Sequence, residues 1–129
     1  MNRTILIVDD SETSRMIIRK CLSMTGDEDS TFLEAEDGIR ALAVLGGHRV
    51  DLLVTDLNMP RMDGITLLRK LRQGGQTSKV PAVVMSSMGS DSLDQELRDL
   101  GVAVLIRKPL TPAKVLEALV AHGLAAEAS

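Results

Sequence analysis

Five short apolar runs alternate with five amphipathic stretches along 129 residues, and this alternation constrains the fold more than any other feature. The runs occupy residues 4–8, 30–35, 51–55, 80–86 and 102–106. All but the second are nearly continuous in aliphatic residues, the pattern of strands buried on both faces of a parallel sheet. In the gaps, apolar residues recur at helical spacing: Ile17, Ile18, Cys21 and Leu22, then Ile39, Leu42 and Ala43, then Ile65, Leu68 and Leu71. Leu93, Leu97 and Leu100 follow the fourth run, and Val115, Leu116, Leu119 and Val120 close the chain. Each set is an apolar stripe on an otherwise polar helix. Thr111-Pro112 supplies an N-cap and a first-turn proline for the last one. Parallel strands require crossover helices, and crossovers are right-handed, so the expected class is α/β: five βα units in one doubly wound sheet covered on both faces. The length suits a single domain spanning residues 1–129.

Composition removes several alternatives. With 44% apolar and 26% charged residues, a disordered chain is excluded. A single cysteine, Cys21, leaves no intramolecular disulfide. The longest apolar runs, 41–45 and 102–106, are far short of the roughly 20 residues of a spanning helix. The first residues are too short and acidic a stretch for a signal peptide, which points to the cytoplasm. Fifteen basic against eighteen acidic residues provide no basic footprint for a phosphate backbone. One phenylalanine with no Trp or Tyr provides no platform for base stacking. Neither nucleic acid nor a membrane is expected as a partner.

Open parallel sheets bind ligands beyond the carboxyl ends of their strands, so the residues that end the runs carry the argument. They are Asp9-Asp10, then Asp56 followed by Leu57-Asn58-Met59-Pro60, then Ser86-Ser87, then Arg107-Lys108-Pro109. One rim of the sheet thus gathers three carboxylates, a hydroxyl and an ammonium. Two like charges about 4 Å apart repel by roughly 4 kcal/mol at an effective dielectric near 20. Lys108 offsets one carboxylate and a divalent cation would offset the other two. Hard oxygen donors suit Mg²⁺, which keeps waters and takes a phosphate oxygen readily. An aspartate is also a competent nucleophile toward phosphorus, and phosphoryl transfer asks chiefly for positioning and charge neutralisation.

Asp9-Asp10, Asp56 with Asn58-Met59-Pro60 and Met62-Asp63-Gly64, Ser86, and Lys108-Pro109 together resemble the receiver domain of two-component response regulators, most of all its stand-alone chemotaxis members. Glu34-Ala35-Glu36-Asp37-Gly38 resembles the receiver segment after the second strand, and the likeness runs from Thr4 to about Leu124. The resemblance implies a flavodoxin-like fold with strand order 2-1-3-4-5 and a single receiver domain without an output domain. It implies Asp56 as phosphoacceptor, Asp10 as direct Mg²⁺ ligand, Asp9 as a ligand acting mostly through water, and the Asn58 backbone carbonyl as a further ligand. Ser86 would hydrogen-bond the phosphoryl group, Lys108 would pair with it, and the Lys108–Pro109 bond would be cis. The donor would be a sensor histidine kinase or a histidine phosphotransfer protein, and the output a phosphorylation-dependent contact with an effector protein. Such a protein is a phosphoacceptor switch that assists its own phosphorylation and dephosphorylation, not an enzyme.

Blander readings exist for each residue alone. Asp9-Asp10-Ser11 can cap a helix, Asp56 can be a turn residue, Lys108 a solvated side chain, and Ser86 and Ser87 turn residues, with Ser86 chosen by the family pattern. Cys21 and most of the seven methionines read as core. His48 and His122 fall near helix carboxyl ends, and Arg15, Arg19 and Lys20 form a solvated face or a partner contact. An aspartyl-nucleophile phosphatase is the main alternative, but Asp56-Leu57-Asn58 lacks its second acid. A phosphorylation-independent binding module is another, and the complete acidic and lysine positions argue against it.

The chain departs from the family pattern at Leu105, where receivers commonly carry an aromatic residue, and at Leu110, where many carry Phe. Leucine cannot repeat the inward rotation of a ring, so coupling is expected to run through the fourth helix and the turn at residues 86–89. Met88 can shield an acyl phosphate while Asn58 can engage attacking water, opposite influences on its lifetime.

Overall fold

A computed structural model describes residues 2–87 and 89–124. The elements alternate strictly: β1 (Thr4–Val8), α1 (Glu12–Leu22), β2 (Thr31–Ala35), α2 (Gly38–Gly47), β3 (Leu52–Asp56), α3 (Gly64–Gln73), β4 (Ala82–Ser86), α4 (Asp91–Asp99), β5 (Val102–Arg107) and α5 (Pro112–Ala121). A π-helical turn, Ser23–Asp27, extends α1. The sheet is five-stranded in the order β2-β1-β3-β4-β5 and every pairing is parallel. The expected fold class and strand order are both observed.

Every residue from Ile5 to Val8, Leu52 to Asp56 and Ala82 to Ser86 is buried, which is why these strands lack polar alternation. Successive side chains feed two cores. Leu6, Val8, Leu53 and Val84 pack with Leu67, Leu68, Leu71 and Leu97. Ile5, Ile7, Leu52, Val54 and Met85 pack with Ile18, Cys21, Leu22, Val115 and Leu119 on the opposite face. β2 and β5 are the edges and are only partly buried.

Strand boundaries shift by a residue or two from the apolar runs, for local reasons. Pro81 has no N–H to donate, so β4 begins at Ala82. Asp51 precedes β3 because both its backbone N–H and its carboxylate are engaged with Thr4. The stripe expected on α2 is misphased. Ile39 is 51% exposed and Ala43 is exposed, whereas Gly38, Ala41 and Leu45 are buried. Residues 41–45 are all apolar, so the sequence holds no contrast from which to phase that helix. Arg15, expected on a solvated face or at a partner contact, has a side chain only 15% exposed that pairs with Glu34 at 2.9 Å.

Side-chain caps end the βα turns at the carboxyl rim. Ser11, Asp37, Asp63, Ser90 and Thr111 each accept a hydrogen bond from the backbone N–H three residues on. Because Ser11 caps α1, the carboxylates of Asp9 and Asp10 are not needed for that task. Among the described residues no helix is long and apolar enough to cross a membrane.

Candidate functional site

The carboxyl ends of β1, β3, β4 and β5 bring the anticipated residues to one rim. Asp9 lies just past β1 and is fully buried, Asp56 ends β3 at 5% exposure, and Ser86 ends β4 at 1%. Asp10 is exposed above them. One carboxylate oxygen from each of Asp9, Asp10 and Asp56 lies within 4.8 Å of the other two. Lys108 reaches in from beyond β5: its Nζ donates to Asp56 Oδ2 at 3.1 Å and lies 3.5 Å from Asp9 Oδ2. Asp9 and Asp56 therefore share one ammonium, with the Asp10 carboxylate beside them.

Backbone contacts fix the carboxylates. Leu57 N–H donates to Asp56 Oδ1 at 2.8 Å, and Ser11 N–H donates to Asp9 Oδ1 at 2.9 Å. Arg15 Nη1 donates to the Asp9 carbonyl at 2.6 Å, a contact the sequence did not disclose. The Lys108 amide donates to the Ser86 carbonyl at 2.9 Å, which ties β4 to the lysine turn, and the Lys108–Pro109 bond is cis as the family pattern implies. Gly64 permits the close return of the chain, since a Cβ there would overlap the Asp56 carbonyl.

Charge crowding marks the titration of the site. Burial raises the Asp9 carboxyl above its ordinary value; Asp56 and Asp10 add to this, against the Ser11 N–H and the Lys108 charge. Burial works against the Lys108 ammonium, but its hydrogen bond to Asp56 and the nearby Asp9 and Asp56 charges outweigh it, so its pKa is raised. The charge left uncompensated, the hard oxygen donors and their spacing all fit a small divalent cation.

Asn58 stands exposed two residues beyond Asp56, at the start of the β3–α3 loop. Met88 lies outside the described residues. Leu105 packs into the core beneath α4 and pairs with Val84. Leu110 packs against the other core. Arg107 crosses the β4–α4 turn: its Nη2 lies 3.2 Å from each carboxylate oxygen of Asp94, and a Cβ on Gly89 would overlap its guanidinium. Nothing in the sequence flags this bridge, because Arg107 and Asp94 are 13 residues apart in different elements.

The model of the response regulator receiver domain matches residues 5–120. The chain belongs to that family. It is 37% identical over 116 residues to the chemotaxis protein CheY1 of Helicobacter pylori, covering 89% of this chain and 92% of that protein. It is 36% identical over 119 residues to the chemotaxis protein CheY of Bacillus subtilis, covering 92% of this chain and 96% of that one. In structure it resembles the chemotaxis response regulator CheY4 of Vibrio cholerae, with TM-score 0.83 and 28% identity over 95% of this chain and 99% of that chain. The receiver is thus of the CheY-like kind that works in two-component signalling, where such domains bind Mg²⁺ in an acidic pocket and interact with histidine kinases and effectors. Receivers are generally not classical enzymes.

Proposed function

We propose that this receiver accepts a phosphoryl group on Asp56 from a phosphohistidine, in a Mg²⁺-dependent reaction, and signals by a phosphorylation-dependent contact with an effector protein. The observation that supports this reading most directly is the clustering of Asp9, Asp10 and Asp56 at the carboxyl rim around a single ammonium, which pairs with Asp9 and Asp56. A cluster so short of positive charge costs stability unless a cation enters it, and such a cation is then in place to take the oxygens of an incoming phosphoryl group.

Asp9, Asp10, Asp56 and the Asn58 carbonyl are the groups that would hold Mg²⁺, which when bound supplies two positive charges beside the phosphoryl oxygens. The residues of the chain do the rest. The Leu57 N–H and the Lys108 ammonium orient the Asp56 carboxylate before any donor arrives. A carboxylate oxygen of Asp56 forms the new O–P bond as the P–N bond to the donor imidazole breaks. The imidazole nitrogen leaves with that electron pair and takes a proton from solvent. Lys108 then pairs with the transferred group, and Ser86, buried at the end of β4, donates its hydroxyl to a phosphoryl oxygen.

The signal passes to α4 through the turn after Ser86, with Leu105 a fixed packing residue. The Arg107–Asp94 bridge across that turn supports this route, because it joins β5 to the first turns of α4 directly above the loop. The protein works in the cytoplasm, where a sensor kinase or a histidine phosphotransfer protein supplies the phosphoryl group.

Intact-mass measurement after incubation with acetyl phosphate tests the chemistry. The wild type gains one phosphoryl group when Mg²⁺ is present and none with EDTA, and Asp56→Asn gains none in either. Labelling of Asp56→Asn to the wild-type extent overturns the assignment.

A further inference from the structure

The β3–α3 loop carries Asn58 away from Asp56 and then makes an abrupt turn. Arg61 has φ +66°, the one non-glycine residue with a positive φ among the described residues. The Met62 N–H donates back to the Pro60 carbonyl at 2.7 Å, which closes a three-residue γ-turn around Arg61. A γ-turn of this hand is rare and strained. A non-glycine residue held there is strained and persists only where its surroundings over-determine it.

Those surroundings come from the β2–α2 turn. Asp37 is fully buried. Its Oδ1 accepts from the Arg40 N–H at 2.8 Å and caps α2. Its other oxygen, Oδ2, lies 3.1 Å from Arg61 Nε without the alignment of a hydrogen bond, so the pairing is one of charge. The adjacent Gly38 N–H donates to the Met62 carbonyl at 3.3 Å. A Cβ on Gly38 would stand 2.7 Å from Met62 Cγ and 2.9 Å from its carbonyl oxygen, so no larger residue allows this approach. Two neighbouring residues thus grip both Arg61 and Met62. The Gly64 N–H, donating to the Leu57 carbonyl at 2.9 Å, closes the far end of the loop.

A carboxylate that only capped α2 would need one oxygen, as Ser11, Ser90 and Thr111 show at other helices. Asp37 has a second, buried oxygen aimed at the strained residue. We infer that Asp37, with Arg61, is a positioning pair for the metal site: it holds the β3–α3 loop in its strained turn so that the Asn58 carbonyl is presented beside Asp56. This rests on the proposed Mg²⁺ site and extends it to residues that touch no ligand. Partners of this outer kind typically change metal affinity by about ten-fold or more.

The test separates strain from charge. Asp37→Asn keeps a cap acceptor and removes the charge, Arg61→Ala keeps the strain and removes the partner, and Arg61→Gly removes the strain itself. Mg²⁺ affinity is read by titrating the Asn58 and Met62 amide shifts, and acetyl phosphate labelling is followed against Mg²⁺ concentration. Asp37→Asn and Arg61→Ala should weaken Mg²⁺ by about ten-fold. Their labelling rates at saturating Mg²⁺ should stay near wild type, and without Mg²⁺ their Met62 amides should exchange faster. Arg61→Gly, alone or added to Asp37→Asn, should return affinity to within about three-fold of wild type, since glycine adopts positive φ freely. Arg61 is 57% exposed in its side chain, so its variants fold even if Asp37→Asn does not. Wild-type affinity in Arg61→Ala, or a loss in Arg61→Gly equal to that in Arg61→Ala, overturns the inference while leaving the metal site standing. Failure of the wild type to bind Mg²⁺ overturns both.

Discussion

Two buried aspartates at opposite rims of the sheet show how differently one fold treats the same side chain. At the amino rim, Asp27 is fully buried and fully answered: Arg3 donates Nε to Oδ1 and Nη2 to Oδ2, each at 2.9 Å, and the Ser30 hydroxyl donates to Oδ1 at 2.7 Å. At the carboxyl rim, Asp9 is equally buried, but its cation is an ammonium 3.5 Å away that donates more closely to Asp56. A bidentate guanidinium with a hydroxyl locks the π-helical turn to β1. One lysine among three carboxylates locks little and leaves charge for a ligand to satisfy. Arg72 also ties the amino rim together from within, donating to the carbonyls of Leu100, Ser78, Val80 and Gly101. Complete satisfaction identifies structure, and incomplete satisfaction identifies the site.

The comparison breaks most readily if both aspartates respond alike to neutralisation. Asp27→Asn should cost about 3 kcal/mol, because it strands an arginine that is 14% exposed beside a buried amide. Asp9→Asn, by contrast, should raise stability by about 1 kcal/mol at neutral pH, since asparagine can still accept from Ser11 and relieves the crowding. Urea unfolding of the two variants without Mg²⁺ reads both numbers. Changes of the same sign would show that the rims do not differ in kind.

Titration sharpens the same contrast. Asp9 has a folded pKa raised above its unfolded one, so the folded state binds the extra proton first. Its penalty is fully present above the folded pKa and fades as pH falls from there toward the ordinary carboxylate value. The advantage of Asp9→Asn over the wild type should shrink across that acidic window. Lys108 runs the opposite way: its raised pKa contributes stability below the ordinary lysine value, which is lost as pH climbs through the folded one. Mg²⁺ at ten times its dissociation constant should stabilise the wild type by about 1.4 kcal/mol and Asp10→Asn by much less. A pH-independent difference between wild type and Asp9→Asn would remove the crowding argument.

The contrast also explains what the sequence discloses. Asp9, Asp10, Asp56, Ser86 and Lys108 were legible because each ends an apolar run, and parallel topology sends all such ends to one rim. The start of the last helix was legible from Thr111-Pro112, and a cap at Asp9-Asp10-Ser11 was open as a reading, since a cap needs only local residues; the caps at Asp37, Asp63 and Ser90 emerged only from the structure. The Asp37–Arg61 grip was half visible: the Asp-Gly after β2 stands out, but its partner is 24 positions away across the β2–α2 and β3–α3 turns. Arg3–Asp27 and Arg72 were not visible, because basic residues at loop edges look alike until the chain is folded. Ile39 misled for the reverse reason, its helix being too uniformly apolar to phase, while Met16 and Met24, at 61% and 69% exposure, show that not every methionine is core.

The smallest expected effect concerns another arginine–aspartate pair, this one bridging β5 and α4 on the carboxyl side. Arg107 meets Asp94 at 3.2 Å through one nitrogen, with side chains 42% and 29% exposed, whereas Arg3 meets Asp27 through two nitrogens with that carboxylate sealed from solvent. Exposed pairs contribute at most about 1 kcal/mol, so Arg107→Gln should change global stability by less than about 0.5 kcal/mol. Its effect should instead be local. The first turns of α4 depend on the Ser90 cap and on this bridge, and Asp94 lies on the one helical segment that follows the Ser86 turn. Amide exchange in α4 should therefore quicken in Arg107→Gln while exchange in α1 and α5 stays as in wild type. Gly89→Ala should do the same by displacing the guanidinium that passes over it. If α4 exchanges at the wild-type rate in both variants, the bridge is an ordinary surface pair. The proposed coupling of Ser86 to α4 then has to run through the packing of Leu93 and Leu97 alone.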